Sequence, residues 1–201
     1  MSASGEAPMT RRRALLLALG ALAATRSVAS RAAAHDEAGM VQPPRPMPSL
    51  SVTLHDGRRA DLRALLTGRN TALQFVLTGC SVSCPVLGAI FAQTQTLLTP
   101  GASPAPQLLS LSLDALGDTP ASLAAWRQRF GAGPNWQAAL PRVDQAALVD
   151  GLLDVGVNGA LTRDQHTASV LLIDARARLV YRTTELPDSR FIAEALNRLA
   201  A

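Results

Sequence analysis

Thr71-Ala-Leu-Gln-Phe-Val-Leu-Thr78 runs directly into Gly79-Cys80-Ser-Val-Ser-Cys84-Pro85. The first stretch has the length and the near-continuous apolar character of a strand buried on both faces. Pro85 suits the first turn of a helix, where its missing N–H costs little. Leu87, Ile90, Phe91, Thr94, Leu97 and Leu98 then recur at helical spacing, and Thr99-Pro100-Gly101 ends the run. Gln107–Leu113 reads as the next strand. Strand, helix and strand make a βαβ unit with a right-handed crossover expected. Both cysteines of the chain therefore fall at one strand–helix junction. Unpaired N–H groups and the macrodipole at a helix start stabilise a thiolate there.

Working outward, Ser51–Leu54 alternates like a strand, and His55-Asp-Gly57 supplies a tight turn. Asp61 can cap a short helix over Leu62–Leu66 that stops at Gly68. Downstream, Pro120 starts a helix covering Leu123, Trp126 and Phe130, with Asp118 or Thr119 as its cap. Another helix is expected over Gln145–Leu153, and a Gly- and Asn-rich loop over 156–166. Ala168–Ile173 is a strand, Asp174–Arg178 a turn, Leu179–Thr183 a hairpin partner, and Asp188–Leu199 the last helix. A βαβ half, a helix and a ββα half is the order of the thioredoxin fold, here with an inserted segment. The expected class is α/β: a thioredoxin-like central mixed sheet flanked by helices, in a single domain.

The amino-terminal region has a different character. Arg11, Arg12 and Arg13 precede the apolar run Ala14–Ala24, and a small-residue stretch follows from Ser27 to Ala34. This is the layout of a cleavable export signal, and the paired arginines suit the twin-arginine type. The apolar run is too short to cross a bilayer as a helix. Residues 1–34 are thus expected to be the signal, 35–49 a Pro-rich tether, and 50–201 the folded domain. The protein is placed in the periplasm or on the outer face of the inner membrane, with membrane attachment only if the signal stays uncleaved. Residues 1–34 hold five arginines and Glu6, so 14 arginines face 14 acids in the remainder. The basic pI therefore gives no argument for nucleic acid, which requires a basic patch on the folded domain.

With one close pair, the cysteines are not a disulfide scaffold, which needs several bridges. They read as a local redox or metal device, both sulfurs facing one point from either side of the helix start. His166 precedes the strand 168–173. In a thioredoxin fold that strand lies beside 71–78, which brings the histidine's loop toward the cysteines. The other polar and sulfur-bearing residues have plainer readings. Trp126 and Trp136 are assigned to packing, Met40 and Met47 to a flexible linker, His55 to an exposed turn and Asp118 to a helix cap. Asp114 is retained as a residue that contacts a partner or the site.

Three motifs together resemble the Sco/SenC family of copper proteins. Cys80-Ser-Val-Ser-Cys84-Pro85 matches the family's Cys-x-x-x-Cys-Pro. Ser112-Leu-Asp-Ala-Leu-Gly-Asp-Thr-Pro120 is similar to its Ser-Val-Asp-Pro-x-x-Asp-Thr-Pro. Asp164-Gln-His166-Thr ahead of Leu171-Leu-Ile-Asp174 echoes its Asp-His-Ser before a Leu-Ile-Asp strand. Order and separations agree over residues 50–199. The chain departs from the pattern at Ala115, which stands where the family has proline, at Gln165, which parts the acid from the histidine, and in the uncharged context of Cys80.

The resemblance implies copper, as Cu(I) or Cu(II), held by Cys80, Cys84 and His166. It also implies delivery to the binuclear copper site of cytochrome c oxidase, or reduction of that site's cysteines. The recipient is the oxidase's copper-site subunit or another periplasmic copper protein. Two thiolates favour Cu(I), and an imidazole extends the site to Cu(II). Zinc is the rival metal, since two Cys and one His with an open position is a known pattern. The competing class is a metal-independent periplasmic thiol–disulfide oxidoreductase or peroxidase-like protein using Cys80 and Cys84 alone. A copper sensor or buffer, with His35 as a new amino terminus, is a third reading.

Overall fold

The computed structural model describes residues 39–153, 168–183 and 186–199. Its strands are β1 (Gly39–Pro46), β2 (Ser51–Leu54), β3 (Arg59–Asp61), β4 (Arg69–Val76), β5 (Ala105–Ser112), β6 (Trp136–Pro141), β7 (Val170–Ile173) and β8 (Arg178–Arg182). The helices are α1 (Leu62–Leu66), α2 (Ser83–Leu97), α3 (Pro120–Arg129), α4 (Ala146–Leu153) and α5 (Ser189–Leu199). All eight strands join one mixed sheet in the order β1-β8-β7-β4-β5-β6-β2-β3. β4, β5 and β6 run parallel, because α2 and α3 return the chain between them. β7 lies antiparallel to β4, pairing Leu73 with Leu171.

The apolar run at 71–76 is explained by this position. β4 sits between β7 and β5, and its alternate residues enter two separate cores. Leu73 and Phe75 pack with Leu62 and Leu66 of α1 and with Val149 and Leu152 of α4. Ala72 and Val76 pack on the other face with Leu87 and Phe91 of α2, Trp126 of α3 and Ile192 of α5. Trp136 closes this second core: it is fully buried, makes edge contacts with Phe91 and Trp126 at 5.6 Å each, and donates its Nε1–H to Ser110 Oγ.

α2 must come close to the end of α3. A Cβ added at Gly88 would lie 2.5 Å from the Phe130 ring, which is held against Trp126 at a centroid separation of 4.9 Å. Gly88→Ala is therefore expected to cost about 1–3 kcal/mol through overpacking. The readout is a lower denaturant midpoint with an unchanged slope.

The structure differs from the sequence reading at several places. Gly39–Pro46, read as tether from its prolines, is an edge strand antiparallel to β8. An edge strand tolerates proline because one side of it needs no ladder donors. Met47 is buried in the core beside Leu50 rather than lying in a linker. His55 is half-buried, and its Nδ1 accepts from the Ala138 N–H at 3.4 Å. Trp136–Pro141 adds a strand after α3, parallel to β5. The helix cap at α3 is Thr119, whose hydroxyl and Ser122 form a reciprocal capping box, not Asp118.

Candidate metal and redox centre

β4 ends at Val76, and the chain turns through Leu77–Val82 before α2 begins at Ser83. Cys80 lies in that turn, its N–H donating to the Leu77 carbonyl at 3.0 Å. Cys84 is the second residue of α2. Its side chain points inward, is 0% exposed, and accepts from the Leu77 N–H at 3.4 Å. No side chain caps α2 at Val82, so the N–H groups of its first turn are available to the cysteine sulfurs. Both cysteines are in the reduced form, with no disulfide between them.

The two sulfurs share a hydrogen bond, yet their environments are opposite. Partial burial pushes the Cys80 thiol up, but the N–H groups of Cys84 and Val82, the Cys84 thiol and the Ser83 hydroxyl outweigh it and bring it down to about 6. Burial pushes Cys84 up to about 12, helped by the neighbouring Cys80 sulfur and the Asp118 carboxylate and opposed by the Leu77 N–H. Thus at neutral pH Cys80 is a thiolate and Cys84 a thiol that donates to it. This predicts that alkylation of Cys80 in the metal-free protein rises through pH 6 and levels off above pH 7. Cys84 should stay unlabelled until strongly alkaline pH, as peptide mapping after a pH series would show.

Asp118 is a site residue that the sequence reading placed in the wrong role. It is 6% exposed, and its carboxylate accepts from the Thr78 hydroxyl, from the Thr78 N–H at 3.3 Å and from the Ser112 hydroxyl at 2.6 Å. It therefore ties the cysteine turn to the end of β5. The signal was present as Thr78, Ser112 and Asp118 in separate segments, which only the parallel pairing of β4 with β5 brings together. Asp114 sits at the same strand end, where its carboxylate accepts from the Gly117 N–H at 2.9 Å.

His166 and His35 lie outside the described residues. Among the described residues, no group of three or more His, Cys, Asp and Glu side chains is placed to hold a metal. The structure thus brings Cys80 and Cys84 together as expected, and engages His55 at β6 instead of with them. No helix among the described residues is long and apolar enough to cross a membrane.

The architecture around this centre has solved counterparts. A SCO1/SenC family lipoprotein from Bacillus anthracis superposes with a TM-score of 0.65 over 80% of this chain and 99% of that one, at 21% identity. The chain has the Sco-type thioredoxin-like fold. Arabidopsis thaliana ScoI, solved with copper bound, matches at a TM-score of 0.63 and 18% identity, over 76% of this chain and 96% of its own. Yeast Sco1, also with copper bound, matches at 0.61 and 16%, over 77% and 88%. No family model and no curated protein matches the sequence. The chain thus shares its fold with these Sco structures at low sequence identity.

Proposed function

We propose that this chain is an exported, divergent Sco-type protein whose cargo is Cu(I). Cys80 and Cys84 carry the ion, and His166 supplies the third ligand. The observation that carries this reading is the pair of hydrogen-bonded sulfurs at the uncapped start of α2. A Sco fold, shared with two structures that hold copper, supports it. The donor set suits the cargo: two soft sulfurs can close on one ion, one of them already a thiolate. Delivery goes to the binuclear copper site of cytochrome c oxidase, or the same thiols reduce that site's cysteines. The direct test is copper content after loading reduced and oxidised protein. One Cu(I) per reduced chain and none per oxidised chain is expected. Equal loading of both would put the metal elsewhere.

Cys84 must lose its proton to bind metal. Since it is held up to about 12 while Cys80 is at about 6, loading one Cu(I) between pH 7 and 9 displaces one proton, that of the Cys84 sulfur. The apparent Cu(I) affinity is therefore expected to rise about tenfold per pH unit across that range, with proton release on loading. A flat profile would mean that Cys84 is not a ligand. At His166, replacement by Ala should weaken Cu(II) more than Cu(I), because two sulfurs still hold the softer ion. Absorption spectra of the Cu(II) form that match the parent would remove His166 from the site.

The sulfur asymmetry also favours a second reading, a thiol–disulfide oxidoreductase in which Cys80 attacks and Cys84 resolves. Full exchange activity in a protein that never loads copper would favour it. Export through the segment Arg11–Ala34 is part of the proposal. The mature amino terminus, read by mass spectrometry from the native cell, should fall near His35.

A further inference from the structure

The turn that carries Cys80 is held from two sides before it reaches the sulfur. On the β5 side, the Val76 carbonyl accepts from the Leu113 N–H at 2.9 Å, and the Thr78 N–H and hydroxyl both donate to the Asp118 carboxylate. On the α2 side, the Leu77 N–H donates to the Cys84 sulfur at 3.4 Å, and the Leu77 carbonyl accepts from the Cys80 N–H at 3.0 Å. Leu77 and Thr78 thus link Asp118 to both cysteines. Asp118 is itself fixed: it is buried, accepts from the Ser112 hydroxyl at 2.6 Å, and its N–H donates to the Asp114 carbonyl at 2.9 Å. Beyond Thr78 the turn comes to the surface. Gly79, Ser81 and Val82 are exposed, and Gly79 has no side chain to anchor it. Cys84 is buried within α2, so its sulfur has one place, whereas the place of the Cys80 sulfur depends on this turn.

We infer that the Thr78 hydroxyl, seated on Asp118, is the positioning contact that holds the Cys80 sulfur against Cys84 in the reduced chain. The inference rests on the proposed thiol site and adds a residue to it. Thr78 is neither a ligand nor a nucleophile; it acts through the turn. A Cys80–Cys84 disulfide and a Cu(I) ion held by two sulfurs both need the sulfurs together. A turn already restricted to that arrangement loses less freedom when either one forms. Fixing the backbone of one residue is worth about a factor of ten in such an equilibrium. Releasing the turn therefore weakens the disulfide and the copper complex in the same direction and by a similar factor.

Three variants separate positioning from plain stability. Thr78→Val keeps the branched shape of the side chain and removes the hydroxyl. Thr78→Ser restores the hydroxyl. Ser112→Ala takes a different donor from the same carboxylate and leaves the tie to the turn in place. Full-length chains are equilibrated with glutathione and glutathione disulfide. The Cys80 thiolate attacks glutathione disulfide and releases one glutathione thiolate. Cys84 then gives up its proton and attacks the Cys80 sulfur of the mixed disulfide, releasing the second. Two electrons pass from the pair to glutathione disulfide, and the Cys84 proton ends on a glutathione. In Thr78→Val the equilibrium constant for this oxidation should fall about tenfold, which raises the reduction potential by about 30 mV. Cu(I) affinity against a colorimetric chelator should fall by about the same factor. Thr78→Ser and Ser112→Ala should stay within about twofold of the parent in both measurements, although Ser112→Ala lowers the denaturant midpoint. Circular dichroism checks each fold. Thr78→Ala, which sets no methyl group against Asp118, repeats the test if Thr78→Val does not fold, with the same shifts expected. Parent values of potential and Cu(I) affinity in the folded variant lacking the hydroxyl would overturn the inference while the thiol site stands. Equal shifts in Ser112→Ala would overturn it too, by making Thr78 one more contributor to stability. A parent chain whose cysteines neither exchange with glutathione disulfide nor take up Cu(I) would overturn the inference and the thiol site together.

Discussion

Serine at position 84 is expected to abolish stoichiometric retention of Cu(I). Cys84 is fully enclosed by the start of α2, so no water or neighbouring carboxylate can take its place without opening the core. A hydroxyl is a hard, weak donor to Cu(I), and it leaves Cys80 as the sole sulfur. Loss of an outer-sphere partner alone costs ~10–100-fold in metal affinity. Removal of a ligand should exceed that, and Cys84→Ser should lose more than ~100-fold in competition against a colorimetric Cu(I) chelator. Cys80→Ser should fail equally. Ser83→Ala should retain loading, because Ser83 approaches the Cys80 sulfur only at 4.0 Å. Cys84→Ser also places a hydroxyl where burial is complete, so about 1–3 kcal/mol of stability is expected to go with it if that hydroxyl is left unpaired. Circular dichroism and a denaturation curve separate that loss from the loss of metal. Tight loading in both Cys80→Ser and Cys84→Ser would place the copper outside this pair.

The second large effect is expected at Asp118. Its carboxylate collects the Thr78 N–H, the Thr78 hydroxyl and the Ser112 hydroxyl in a pocket closed to solvent. Asp118→Ala removes the acceptor from all three at once. Hydrogen bonds to a charged group are worth ~1.5–3 kcal/mol, and an orphaned buried donor costs ~1–3 kcal/mol. A destabilisation of about 3 kcal/mol is expected, with the midpoint of unfolding as readout. The same change removes a negative charge that pushes the Cys84 thiol up. The sign is therefore definite: Cys84 alkylation moves to lower pH in Asp118→Ala. Asp118→Asn separates the two effects, since the amide oxygen still accepts from Thr78 while the charge is gone. It should lower the alkylation range of Cys84 with a smaller loss of stability. A variant whose stability falls while its Cys84 profile stays in place would make Asp118 structural only.

Much of the half that carries the two cysteines was legible from residue order. The βαβ unit around Cys80 and Cys84 announced itself because a doubly buried strand leaves an unbroken apolar run, and a proline marks the helix start. The short helix at Leu62–Leu66 was legible for a similar reason: Asp61 caps it, accepting from the Ala64 N–H at 2.9 Å. The edge strands were not. β1 is rich in proline, and its pairing with β8 depends on a partner some 140 residues away in sequence. β6, Trp136–Pro141, carries two alanines and a proline where strand propensity favours branched residues, and its place is set by Trp136 entering the core. Asp118 was misassigned for a third reason. Local rules see an acid before Thr119-Pro120 and read a cap; its partner Thr78 is brought to it by sheet register, which no local pattern contains.

X-ray absorption at the copper edge of the Cu(I)-loaded, reduced chain tests the central claim most directly, because it counts donor atoms by element. The account predicts a first shell with two sulfur scatterers and one imidazole nitrogen, the nitrogen disappearing in His166→Ala and one sulfur in Cys84→Ser. A first shell of nitrogen and oxygen alone, unchanged in Cys84→Ser, would contradict it.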